Sequence, residues 1–127
     1  MIVDPVAEWL ALAHQDLSSA QFLLGMRPSP VEVICFHCQQ AAEKLLKAVL
    51  AKATASIPKT HDLLVLLDLV CEVDPKFKIL EAPLTDLNDF SVVVRYPAHV
   101  MLEEMDATKA LADAESVKTV VLALVKA

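Results

Sequence analysis

Phe36-His37-Cys38-Gln39-Gln40-Ala41-Ala42-Glu43-Lys44-Leu45-Leu46-Lys47-Ala48 is the stretch from which the fold is read. Its apolar and small residues return every three or four positions, the period of an α-helix with one face in a core. Extended outward, Ile34, Cys38, Ala41, Leu45, Ala48 and Lys52 mark that face, and the spacing predicts a helix over about 30–53. Ala41, Ala42 and Ala48 let a neighbouring helix approach closely. Gln39, Gln40, Glu43, Lys44 and Lys47 sit beside these core positions, a mixture that points to a binding surface carried by a helical bundle.

Helix starts are marked three times in the same way. Asp4-Pro5, Ser29-Pro30 and Asp74-Pro75 each pair an N-cap acceptor with a proline whose missing N–H costs nothing at the first helical position. Glu32 completes a capping box with Ser29. The first helix is expected over 5–25 with Val6, Leu10, Ala13, Leu17, Ala20 and Leu24 inward, stopped by a left-handed Gly25. Thr60 is expected to cap a third helix running to about Val73, with Leu63, Leu64, Leu67 and Val70 buried. A fourth segment carries Phe77, Leu80, Leu84, Leu87 and Val94, kinked or split by Pro83. A last helix begins near Asp106 with Ala110, Ala114, Val117, Val121 and Leu124 on one side. The chain thus reads as all-α: an up-and-down antiparallel four-helix bundle with an additional short or kinked helix, one domain over 1–127.

Composition narrows the function. The 127 residues include a single glycine, which leaves little for hairpins. Charged residues interrupt every apolar run before the roughly 18 residues a membrane span needs, so no membrane partner is expected. Apolar content of 56% is high for such a chain and favours a homodimer over a monomer. The start of the chain lacks the basic and apolar regions of a secretory signal, and three cysteines form no disulfide framework. Both point to the cytoplasm. A formal charge of −6 argues against an extended basic surface for nucleic acid, leaving a local patch of Lys44, Lys47, Lys52 and Lys59 as the best candidate.

Several residues could carry chemistry. Cys35, His37 and Cys38 lack the second ligand pair that zinc requires, so neither metal nor cofactor is expected. His61 lies beside the start of a helix, where backbone N–H groups attract anions, with capping or contact to Asp62 as its structural alternative. Arg95 precedes Tyr96-Pro97, which ends a helix. Its guanidinium suits either the helix C-terminal dipole or a phosphate, with the Tyr96 ring beside a base. Arg95 and His99 form the weak catalytic candidates, His for acid/base work and Arg for phosphorane-like charge.

Taken together, Phe36 to Ala48, Thr60-His61-Asp62-Leu63 and Arg95-Tyr96-Pro97 resemble the HEPN domain family. Its members share a Phe-His-x-Gln-Gln-Ala-Ala-Glu-Lys-x-Leu-Lys-Ala helix, a Thr-His-Asp-Leu segment and an Arg-Tyr-Pro element. The resemblance implies a dimeric antiparallel bundle that binds a nucleotide or an RNA end. It also implies a minimal nucleotidyltransferase partner, in some cases within a toxin-antitoxin pair. On this resemblance Arg95 contacts phosphate, Tyr96 stacks or shapes the pocket, and His61, Lys44 and Lys47 line the adjoining polar surface. The family's metal-independent ribonucleases carry Arg and His separated by four to six residues, whereas three separate Arg95 from His99 here. That departure favours the noncatalytic, nucleotide-binding-like branch over a ribonuclease toxin, while the acidic balance keeps a noncatalytic dimerisation and interaction module as the other alternative.

Overall fold

The computed structural model describes residues 4–91 and 102–125. Helix α1 spans Pro5–Leu23, α2 Val31–Lys52, α3 Leu63–Val73, α4 Glu81–Asn88 and α5 Glu104–Val125, with a 3-10 helix Pro75–Leu80 leading into α4. No strand occurs among the described residues, so the all-α reading holds.

Helix α2 is the centre of the bundle. It touches α1, α3, α4 and α5, and 14 of its 22 residues are buried. A helix surrounded on most sides keeps only a narrow outward stripe, here Val33, Phe36, His37, Gln40 and Lys44 at partial exposure. Helix α1 runs antiparallel to it, since Trp9 meets Lys47 while Asp16 meets His37 and Lys44. Ala13 and Ala20 on α1 and Ala41, Ala42 and Ala48 on α2 are buried, which admits the close packing of short side chains. Leu17, Ile34, Leu45, Leu46, Leu63, Leu66, Leu67, Leu84 and Leu87 fill the spaces between helices.

Helix ends depart from the expected chemistry in four places. Ser29 makes no capping box: Pro30 is the N-cap of α2, no side chain caps it, and the Ser29 hydroxyl is buried without a partner. Gly25 is not left-handed; α1 ends at Leu23 and continues into a turn in which Gly25 N–H reaches the Phe22 carbonyl at 3.2 Å. The left-handed residue is Thr54, with φ 52°. It follows α2 in a Schellman arrangement, Ala55 N–H donating to Leu50 O at 2.9 Å and Thr54 N–H to Ala51 O at 3.0 Å. The N-cap of α3 is Asp62, not Thr60, because a carboxylate two residues closer accepts from both Leu64 and Val65 N–H. Thr60 instead accepts from Asp62 N–H at 3.1 Å.

Pro83 does not break the fourth segment. It occupies the first turn of α4, where a proline's lacking N–H removes no bond, and the split falls earlier, where the 3-10 helix meets Glu81. Leu66 rather than Leu64 completes the buried face of α3, and Lys52 is exposed. Asp4 caps α1 and Asp74 caps the 3-10 helix as their Asp-Pro pairs predict. Val94 and the Tyr96-Pro97 break lie outside the described residues.

Candidate functional site

Two carboxylates on the α1/α2 side of the bundle are each held between a lysine and a histidine. Asp16 of α1 faces α2, where its two oxygens take the Lys44 ammonium and, at 3.0 Å, His37 Nδ1. Lys44 lies seven residues after His37 on α2, two turns of helix, so a single carboxylate lodged between those turns reaches both. Asp16 is itself buried, because it falls on the inward side of α1 between Ala13 and Ala20.

The second carboxylate belongs to α2. Glu43 Oε2 accepts from Lys47 Nζ at 3.1 Å, the ordinary reach of an i, i+4 pair. Glu43 Oε1 lies 2.8 Å from Nδ1 of His61, in the loop before α3. Glu43 and Lys47 are both buried, and the Lys47 ammonium also lies 5.6 Å from the centre of the Trp9 ring. The His61 imidazole, by contrast, is 69% exposed.

His61 is fixed at its backbone as well. The Gln39 carboxamide, fully buried, donates to the His61 carbonyl at 2.8 Å and accepts from Gln40 at 2.8 Å. On the far side, Asn88 at the end of α4 accepts from Leu63 N–H at 2.8 Å and donates to the Asp62 carboxylate at 3.1 Å. The Gln39-Gln40 pair, Glu43, Lys47 and the Thr60-Asp62 turn therefore form one hydrogen-bonded assembly.

These bonds correct two expectations about anions. The first N–H groups of α3 are already occupied, Leu63 by Asn88 and Leu64 and Val65 by Asp62, so the start of α3 offers no anion cradle. Hydrogen bonds from Asn88 and Leu64 hold the Asp62 carboxyl below its usual range, keeping negative charge at that helix end. Within the candidate basic patch, Lys44 and Lys47 are paired with Asp16 and Glu43, so their charge is already balanced.

The structure brings His61, Lys47 and, through the shared α2 face, Lys44 into one region. Lys47 is buried beneath Glu43, so its influence on anything outside passes through that carboxylate. Arg95, Tyr96 and His99 lie outside the described residues. Cys35 and Cys38 are buried core thiols, pushed up to about 12 chiefly by burial, and His37 between them turns to Asp16. Asp16 and Trp9 were not singled out from sequence. The available signal for Asp16 was its place three residues after Ala13 and four before Ala20, an acid on the apolar face.

The model of the HEPN domain matches residues 6–124. This chain belongs to the HEPN domain family. The HEPN fold is seen again in two solved structures. One is TT1696 from Thermus thermophilus, 26% identical, with a TM-score of 0.75 over 94% of this chain and 97% of that one. The other is ST0689, described as an archaeal HEPN homologue, 24% identical, with a TM-score of 0.74 over 94% and 97%. No curated protein matches. No described helix of this HEPN domain is long and apolar enough to cross a membrane.

Proposed function

We propose that this HEPN protein is a noncatalytic, homodimeric binder of a nucleotide or RNA end that works with a minimal nucleotidyltransferase partner in the cytoplasm, as a toxin-antitoxin pair. The His61 imidazole supports this reading most directly. A buried carboxylate needs one counter-charge, and Lys47 already supplies it to Glu43. The second bond, to His61, is therefore not required for neutrality. It holds an exposed ring in one orientation, as a contact residue needs.

In this reading Arg95 contacts the phosphate, Tyr96 stacks or shapes the pocket, and His61 supplies a second polar contact. Lys44 borders the site, and Lys47 acts by holding Glu43. Exposed Ile79 and Met105 leave apolar surface for a second copy or the partner.

The test is calorimetric titration of nucleotides and a short RNA into the wild type and an Arg95→Ala variant, with co-purification against any minimal nucleotidyltransferase encoded by the adjacent gene. Loss of ligand in the variant at unchanged helicity and melting temperature is the expected result. A variant that chiefly unfolds makes Arg95 structural. RNA cleavage that disappears in His99→Ala would replace this reading with a ribonuclease.

A further inference from the structure

Beside the Asp16-His37 pair lies an open groove of about 430 Å³ between α1 and α2, lined by Gln15, Ser18, Ser19, Phe22, Leu23 and His37. Its volume is that of a site for a small organic molecule. Phe22 lines it while 82% exposed, an aromatic ring that the bundle's own packing does not use.

The groove's chemistry is that of a neutral, planar, hydrogen-bonding ring. None of its lining residues is Lys or Arg, so nothing in it neutralises a phosphate. Asp16 accepts from His37 Nδ1 and fixes the imidazole, which in its neutral form leaves Nε2 an acceptor. The Gln15 carboxamide offers a donor and an acceptor on the same groove. The Ser18 and Ser19 hydroxyls are engaged locally, with His14 Nε2 at 3.3 Å and the Gln15 carbonyl at 2.9 Å. An exposed phenyl ring beside an imidazole acceptor and a carboxamide matches a nucleobase that bears an amino group. Such a base stacks on Phe22 and donates its amino N–H to His37.

We infer that the α1/α2 groove is a nucleobase subsite, with Phe22 as the stacking platform and His37 as the edge reader. This deepens the nucleotide-binding reading and rests on it. Glu43, which holds His61, follows His37 by six residues on α2, about 9 Å of axial rise and about a third of a turn around the helix.

The test is NMR titration of the full chain with adenosine, uridine, adenosine 5′-monophosphate, a short RNA and ribose 5-phosphate, using wild type, Phe22→Ala, Phe22→Trp and His37→Gln. Adenosine, its monophosphate and the RNA are expected to shift Gln15, Phe22 and His37. Ribose 5-phosphate should leave these residues unmoved. Phe22→Ala should weaken nucleoside binding about tenfold or more, with Phe22→Trp retaining it. His37→Gln should reduce the preference for adenosine over uridine. If nucleotide binds and Phe22→Ala changes nothing, the subsite is wrong while the wider reading stands. If Phe22→Ala alters only the oligomeric state, the ring is a contact between copies and the subsite is also wrong. Failure of the wild type to bind any nucleotide or RNA overturns the wider reading and the subsite with it.

Discussion

His61 Nδ1 and Glu43 Oε1 stand 2.8 Å apart across the gap between α2 and the start of α3, one side chain mostly exposed and the other 5% exposed. Because Lys47 holds the opposite carboxylate oxygen, the two groups contribute unequally. Glu43 and Lys47 belong to the stability of the bundle, and His61 to what the bundle presents.

Removing Glu43 alone should therefore be costly and removing His61 should not. Glu43→Gln leaves the buried Lys47 ammonium without its counter-charge, and a loss of about 3–5 kcal/mol is expected in urea unfolding. The double replacement Glu43→Leu with Lys47→Met should recover much of that loss. His61→Ala should stay within about 1 kcal/mol of wild type.

The two backbone surprises give a paired prediction. Thr54 carries a β-branched side chain at φ 52°, so Thr54→Gly should stabilise the protein by about 1 kcal/mol by relieving the left-handed strain. At Gly25 a methyl group would meet only the Phe22 carbonyl at 3.6 Å, an ordinary contact. Gly25→Ala should stabilise by about 0.4–1 kcal/mol through the unfolded chain. Thermal denaturation of the two variants checks both signs.

Burial raises the Cys35 and Cys38 thiols to about 12 from an ordinary 9.0. Folding therefore favours their protonated form. The associated stability is complete below pH 9 and declines as pH rises toward 12. A thiol reagent at about pH 8 should label Cys71, which is only partly buried, well before Cys35 or Cys38 in the native protein. Replacing both buried cysteines by alanine should flatten the alkaline limb of the stability profile.

At the start of α3 the sign is opposite. The Asp62 carboxyl is held below its usual range by Asn88, Leu64 and Val65. Its stabilisation is present above the unfolded carboxylate pKa and lost as pH falls through the lower folded value. Asp62→Ala should cost about 0.5–2 kcal/mol at neutral pH and much less in acid, measured by urea unfolding at both pH values.

The helices were legible because their apolar residues keep an α-helical period: Leu17 and Ala20, Leu45 and Ala48, Ala110 and Ala114 are buried where the spacing places them. Helix ends were less so, since cap choice turns on backbone geometry. Asp62 took the role given to Thr60, and Thr54 the conformation given to Gly25. At the site, Gln39, Glu43 and His61 were picked out by residue type, but their bonds join positions 18 and 22 residues apart. Asp16 lies 28 residues from Lys44 and only the α1/α2 packing brings them together. The Glu43–Lys47 pair follows from its i, i+4 spacing, but charge counting could not reveal that Lys44 is already paired with Asp16 of another helix.

The imidazole of His61 is the place to look for a ligand. Its carbon-bound proton resonances, followed by NMR during titration with adenosine 5′-monophosphate and a short RNA, report whether that ring meets what the protein binds. A saturable shift at His61, with binding weakened in His61→Ala at unchanged melting temperature, is the predicted result. Ligand bound at full affinity with His61 resonances unmoved would contradict it.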